Sequence, residues 1–600
     1  MHTASSRSTL LARAALSAAL GLACSAGVAA APAAPAATAT TAASPAPAAA
    51  AHAAPWWQDA VIYEIYPRSF QDSNGDGIGD INGITSRLDY LESLGVDAIW
   101  IAPFYPSPQV DFGYDISDYQ AIDPQYGTLA DFDRLLGEAG RHHIRVILDM
   151  VLNHTSDRHP WFLDAASSRQ APHHDFYVWS DGRASGGAVP LPPNNWVSLF
   201  GGSAWQYVPA VQQLYYHKFY RQQPDLNWRN PKVEAAMFGA MRFWLDRGVS
   251  GFRLDAITEL IEDAQLRDEP ALGGTNAQGD PNLNNIYTHD LPDNHAVIRR
   301  LRAMMDKYAG DRLLLGETYV SRTALLDPWY GGAQHDELQL AMDTLVGLGS
   351  HLDAAKLRGL LEEAQTELHG SQPLLVFDNH DNTRSWDRLG DGVHNAAIAR
   401  VVAALLLTQR SAALMYQGEE IGQTTATPTR VEDVRDPIGI TGWPKEKGRD
   451  GERTPMQWDA ANAQAGFSAN PHTWLPVTGN YKTVNVASET ADPHSLLNWY
   501  RALIKLRHTS AALRAGRTVM LDRTNSHVLS YVRVAPDGGT ILVALNLSAQ
   551  PATFRPGLAA AGVHGSRIKT LLASPDSIDA GAADGPVTLA PYGALVAAVE

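Results

Sequence analysis

The stretch Ile144–His154, IRVILDMVLNH, decides how the rest of the chain reads. It is an apolar run with Asp149 embedded in it and polar residues, Asn153 and His154, at its C-terminal end. A run of this kind is a strand buried on both faces, as in parallel sheets. Seven others share the form: AVIYEIYPRSF (60–70), VDAIWIAP (96–103), GFRLDAI (251–257), LLLGET (313–318), LQLAMD (338–343), PLLVFDNHD (373–381) and AALMYQGEE (412–420). Helix-period segments such as VEAAMFGAMRFWLDRGV (233–249) and HAVIRRLRAMMDKYAG (295–310) lie between them. Eight strand–helix units predict an α/β fold, a (β/α)8 TIM barrel.

Two regions break the alternation. About seventy residues rich in Trp, Pro, Gly and His separate the third strand from its helix, too long for a plain loop, and predict an inserted B subdomain. Past Gly516 the runs HVLSYVRVA, TILVALNLS and PVTLAPYGALVAAVE are β-type, which predicts a C-terminal antiparallel β-sandwich. The expected organisation is a barrel over 55–155 and 225–515, the B subdomain over 156–224 and the β domain over 516–600.

Ahead of the barrel, Arg7 and Arg13 precede the small apolar run AALSAALGLACSAGVAA, which reads as a signal peptide over 1–30. GLAC resembles a lipoprotein box only weakly, because Gly21 fits it poorly. Residues 31–54 are an Ala/Pro/Thr linker with nothing to build a core from. The sole cysteine, Cys24, lies in the leader, which excludes disulfide and thiolate chemistry from the remainder. With no later run long enough to span a membrane, the expectation is an exported protein, periplasmic or secreted. Net charge −17 argues against nucleic acid as a partner. Fifteen Trp and 21 Tyr serve packing first and sugar faces second.

Active sites of such barrels form at the C-terminal strand ends. Read in order, those ends carry Asp149, Asn153 and His154, then Arg253 and Asp255, then Glu317, then Asn379, His380 and Asp381. Carboxylates from three strands converging on one cavity are costly as a stability device. They suit retaining glycoside hydrolysis, which needs a nucleophile and an acid/base roughly 5–5.5 Å apart. Arg253, on the same side of its strand as Asp255, is expected to keep that aspartate ionised, whereas Glu317 has no cation beside it in sequence and is expected to hold its proton.

The blocks DMVLNHTS, GFRLDAI, GET and FDNHDN, with GYDISDY, QPDLNW and GRDGERTPMQW, resemble the α-amylase superfamily of α-retaining enzymes, in its α-glucosidase and oligo-1,6-glucosidase branch. The resemblance runs from Trp56 to the C-terminus. It implies Asp255 as nucleophile, Glu317 as general acid/base and Asp381 as the stabilising carboxylate. It further implies that Asp115, His154, Arg253, His380 and Arg449 bind the glucosyl unit, with Arg453 the other candidate for the last of these. Phe176, Trp196 and Trp205 are expected to pack within the subdomain, and any of them could instead line the acceptor side. Ala256 after the nucleophile implies maltose-type α-1,4 substrates, since α-1,6-acting members carry Val there. Rival expectations are a trehalose synthase or sucrose-acting transglucosidase on the same blocks, and a non-catalytic sugar-binding or transporter-partner protein. Keeping all three carboxylates argues against the last; oligomeric state is not legible.

In Asp72–Asp80, DSNGDGIGD, Asp72, Asn74, Asp76, the Ile78 carbonyl and Asp80 match the oxygen spacing of a calcium loop. Gly83 stands where a sensor loop has its bidentate Glu, and a strand precedes it, both of which argue against a sensor. A metal-free Asp/Asn/Gly turn is the alternative; the resemblance implies a structural Ca2+.

Overall fold

The computed structural model of the protein describes residues 54–575, 577, 582 and 585–600. The leader, and the linker except its last residue, lie outside the described residues. All eight expected strands form: β1 (Val61–Ile65), β2 (Ala98–Ile101), β3 (Arg145–Val151), β4 (Gly251–Asp255), β5 (Leu313–Gly316), β6 (Leu340–Asp343), β7 (Leu374–Val376) and β8 (Ala413–Tyr416). Each pairs in parallel with the next, and β8 closes the barrel on β1 with Val61 opposite Ala413. Strands enclosed by side chains inside and helices outside are mostly apolar, which explains the runs.

Local signals fix the helix starts. Thr128 and Asp131 form a reciprocal capping box ahead of Leu129–Arg141. Asn230 caps Pro231–Asp246, whose proline occupies the first turn, where no amide hydrogen is needed. The Pro231–Asp246 helix buries Val233, Met237, Met241 and Trp244 against the barrel.

The long third connection holds a three-stranded sheet, Trp179–Ser180, Gln213–Tyr216 and Trp205–Val208. It leaves and returns side by side, where His154 bridges Asp225. Trp196 and Trp205 pack with Val178, Leu214 and Tyr216 in a core of their own, and Phe176 lies edge-on to Trp161. All three tryptophan and phenylalanine candidates are therefore packing residues, as buried aromatics usually are.

The C-terminal region is a five-stranded antiparallel sheet facing a two-stranded one, Ala552–Phe554 with Val587–Leu589. In its strand Val528–Val534, Leu529 and Tyr531 join the main core while Val528 and Val532 face the small sheet. That alternation lets one strand serve two layers. Among the described residues no helix is long and apolar enough to cross a membrane.

Candidate active site

Asp255 ends β4, and Arg253, two residues earlier, points to the same side. Arg253 is 1% exposed. Its Nη1 donates to both oxygens of Asp149 at 3.0 Å and to Asp255 Oδ1 at 2.7 Å. Its Nη2 lies 3.0 Å from Glu317 Oε2. One guanidinium thus ties together carboxylates from β3, β4 and the end of β5, and neutralises one of their three charges.

Burial decides the remainder. It pushes Asp255 up to about 7 against the pull of Arg253, and Glu317 also up to about 7, where the charges of Asp255 and Asp381 add to it. The expectation that Arg253 keeps Asp255 ionised is therefore met only in part, because the same cation is shared with Asp149. Nor is Glu317 free of a cation: Arg253, distant in sequence, touches it. Its proton is held by desolvation and neighbouring carboxylates despite that contact.

Asp381 behaves oppositely. Arg449 Nη1 at 2.9 Å and Arg453 Nη2 at 2.7 Å both donate to Oδ1, and His380 Nε2 lies 3.2 Å from Oδ2. Burial opposes its charge, but His380 and the two arginines hold Asp381 well below the usual carboxylate range. Both arginine candidates reach this carboxylate. Arg449 also bridges Asp111 and Asp436, while Arg453 donates through Nε to the His380 carbonyl. Side chains of Asp255, Glu317, Asp381 and Arg449 keep 12–22% of their surface open, whereas Arg453 is fully covered. The first four form the open face of the cluster.

Asp115 is not part of this group. Its carboxylate accepts from Ser107 Oγ and from the amides of Val110 and Asp111, closing its own turn. Asp111 takes the expected place, held by Arg449 and by Gln223 Nε2 at 3.1 Å. The cause is the backbone between them: Phe112 and Gly113 both take positive φ, and a Cβ on Gly113 would meet the Pro103 carbonyl at 2.8 Å. His154 reaches Gln223 at 3.1 Å and the Tyr114 carbonyl at 3.1 Å, and burial lowers it to about 3, so it is neutral.

Ala256 adopts a left-handed conformation, φ 47°, and its amide donates to Glu317 Oε2 at 3.0 Å. Tyr319, two residues past Glu317, keeps 43% of its surface open near Asp381. Sequence reading missed Asp111, Tyr114, Glu64 and Tyr319. A lone acid inside an apolar strand (Glu64) and acidic or aromatic residues in the loops after strands (Asp111, Tyr114, Tyr319) are the signals that could have flagged them.

In the oxygen-rich loop Gly75 and Gly77 take positive φ. Asp72 accepts from the amides of Asn74, Gly75 and Gly77, Asp76 from Ile78, and Asp80 caps the helix Ile81–Ser86 through Gly83. Asp72, Asn74, Asp76, Ile78 and Asp80 offer only oxygen, a donor set that fits a hard cation. Among the described residues, the one trio of His, Asp or Glu ligand atoms within 4.8 Å of one another is instead Asp89, Glu92 and His142 on the surface. The loop adjoins the site through Trp474, whose amide donates to the Gly77 carbonyl and whose ring lies 6.0 Å from Tyr66.

A parallel eight-stranded barrel carrying paired carboxylates at its strand ends, with a third held charged by arginines, defines a glycoside-hydrolase class of site. The chain belongs to the alpha-amylase family: residues 64–516 match its catalytic-domain model. It is 42% identical over 509 residues to a probable alpha-glucosidase of Rhizobium meliloti, covering 83% of this chain and 90% of that one. It is 38% identical over 533 residues to an oligo-1,6-glucosidase of Parageobacillus thermoglucosidasius, covering 83% and 92%. A crystal structure of an alpha-glucosyl transfer enzyme superposes with a TM-score of 0.81 at 41% identity, over 91% of this chain and all of that one. The protein is an enzyme of the glycoside-hydrolase kind.

Proposed function

We propose that the protein is an exo-acting retaining α-glucosidase that removes terminal glucose from short, α-1,4-linked oligosaccharides of the maltose type. The observation that carries this reading is the Arg253 bridge, which joins Asp255 and Glu317 through one guanidinium where burial pushes both carboxyls up to about 7, so that near neutral pH the pair can hold a proton between them. Arg253 occupies Oδ1 of Asp255, leaving Oδ2 to attack the anomeric carbon. As that bond forms, Glu317 gives its proton to the glycosidic oxygen and the leaving sugar departs. Glu317, now a carboxylate, takes a proton from water, whose oxygen displaces Asp255 and releases α-glucose. Asp381, fully charged, stabilises the oxocarbenium-like transition state. Asp111, His154, His380 and Arg449 hold the glucosyl hydroxyls; this assigns to Asp111 what sequence reading assigned to Asp115.

The α-1,4 preference rests on Ala256, a small residue beside the nucleophile. A second activity, glucosyl transfer, is favoured by the open Tyr319 ring beside Glu317, which offers an acceptor sugar a flat face. Asp72, Asn74, Asp76, the Ile78 carbonyl and Asp80 would hold a Ca2+ ion, which would stiffen the first strand–helix connection. The apolar run after Arg7 and Arg13, read as a signal peptide, supports a location outside the cytoplasm, periplasmic or secreted.

Incubation with maltose, isomaltose, sucrose and trehalose separately, with every product identified, tests linkage and transfer together. Proton NMR of the first turnover is expected to show α-glucose; initial β-glucose rejects double displacement. Loss of glucose release in Asp255→Asn is expected, and an inert parent enzyme would return the protein to the class of sugar-binding relatives.

A further inference from the structure

Glu64 is the one charged side chain in β1, fully buried between apolar neighbours. Its Oε1 lies 2.5 Å from His380 Nδ1, and its Oε2 has no partner at all. An ionised carboxylate with one bare oxygen is expensive in such a place, and a carboxyl that shares a proton is not.

The histidine leaves no freedom to that proton. Tyr66 stacks with the His380 ring at 5.6 Å and Tyr114 at 5.3 Å, with Trp100 edge-on at 6.1 Å, and these rings pack around it and favour one orientation. In this orientation Nδ1 faces Glu64, and Nε2 faces Tyr114 Oη at 2.8 Å and Asp381 Oδ2 at 3.2 Å. Tyr114 has one hydroxyl hydrogen and donates it to Asp149 Oδ2 at 3.0 Å. Both neighbours of Nε2 are then acceptors, so Nε2 must carry a hydrogen. The Nδ1–Glu64 contact must hold one more. Whether that proton sits on nitrogen or oxygen, the pair is neutral overall. Burial pushes Glu64 up and His380 down, in the direction of the uncharged form. The other groups facing the pair are Asp149, Arg253, Asp381, Arg449, Arg453, Tyr66, Tyr114 and Tyr416.

We propose that Glu64 is a positioning residue for the glycosidase reaction: by sharing one proton with His380 Nδ1 it keeps Nε2–H a permanent donor beside Asp381, where it meets the glucosyl hydroxyl. This rests on the α-glucosidase reading for its purpose but not for its geometry. A glutamine at 64 has no dissociable proton. Its amide N–H can donate to Nδ1 and keep the neutral Nε2–H tautomer, whereas a leucine at 64 leaves Nδ1 without a partner, so that only Tyr114 and Asp381 fix the tautomer.

The test is 15N-histidine NMR of the full protein, the His380 signal being identified by its disappearance in His380→Asn. In the parent the signal should not titrate between about pH 5 and 9 and should report a protonated Nε2. In Glu64→Gln, whose amide can donate to Nδ1, Nε2 should stay protonated; in Glu64→Leu the Nδ1 signal should lose the shared-proton position and report a bare nitrogen. A parent signal that titrates, or whose Nε2 is bare, overturns the proposal whether or not the enzyme is active. Kinetics give the second arm: kcat of Glu64→Leu on maltose should fall about tenfold or more with KM near the parent value, while Glu64→Gln should keep kcat within about threefold. In a His380→Asn background Glu64→Leu should alter kcat less than about twofold, because the two residues act as one. Equal kcat losses in Glu64→Leu and Glu64→Gln, or additive losses, count against it. If Glu64→Leu does not fold, Glu64→Asp replaces it: a retained carboxyl too short for Nδ1 should lower kcat more than Glu64→Gln does, and the reverse order overturns the assignment. Absence of glucose release from the parent would instead reject the α-glucosidase reading.

Discussion

The amide of Ala256 donates to Glu317 Oε2 at 3.0 Å, so the residue that follows the proposed nucleophile also holds the proposed acid. It can do so because the chain turns left-handed at that residue, φ 47° and ψ 35°. Ala tolerates this conformation at a modest cost; a β-branched residue does so poorly.

Ala256→Val should therefore do two things. Strain of about 1–2 kcal/mol should lower Tm by a few degrees. The ratio of kcat/KM for maltose to that for isomaltose should fall about tenfold, the scale of a methyl group in a sugar pocket. An unchanged ratio would remove Ala256 from the account of linkage.

Glu317→Gln should be more stable than the parent in alkaline solution. Burial, with the charges of Asp255 and Asp381, raises the folded-state value of Glu317 to about 7. The folded protein thus binds this proton more tightly than the unfolded chain, whose glutamate titrates near about 4.3. The stability it gives is complete below that value and is lost as pH rises to about 7. The amide has no such loss, so the Tm difference should widen in favour of the variant across that window while kcat falls about a thousandfold. Calorimetry at a series of pH values checks this; a constant Tm difference contradicts it.

Arg449 and Arg453 share Asp381 but should fail differently. Arg449→Lys gives up a forked contact to Asp111 and Asp381 at the open face, and should raise KM for maltose about tenfold with little effect on Tm. Arg453→Lys vacates a fully covered place against the His380 carbonyl and should lower Tm and kcat together. Identical behaviour of the two would show that the division of labour is wrong.

Removing Ca2+ by chelation should lower Tm by several degrees and leave kcat unchanged well below the transition. Asp76→Ala, at an exposed loop position, should abolish the response to added calcium. A Tm indifferent to chelator and calcium alike would make the loop a metal-free turn.

The eight strands were legible because each is enclosed on both sides and is apolar apart from the few buried charged residues, such as Glu64, Asp149 and Arg253, that pair across the barrel. The three carboxylates were legible because those ends converge. Asp111 was not, since Asp111 and Asp115 are chemically identical acids four residues apart. Only the left-handed pair Phe112–Gly113 decides which one faces the cavity. Glu64 was hidden differently: it sits inside an apolar run as one polar letter, and its partner lies 316 positions away. The cation beside Glu317 escaped notice for the same reason, being a contact between strands and invisible along one.

The distance between Glu64 and His380 along the chain bears on synthesis. A ribosome delivers Glu64 early, but His380, Asp381, Arg449 and Arg453 arrive only after most of the barrel has been made. Until then the early carboxyls Glu64, Asp149 and Asp255 have no finished cavity to occupy, and no fragment ending before Arg453 can assemble the set. Closure of β8 (Ala413–Tyr416) on β1 therefore precedes completion of the site, and a nascent chain is expected to stay inactive until Arg453 has been delivered.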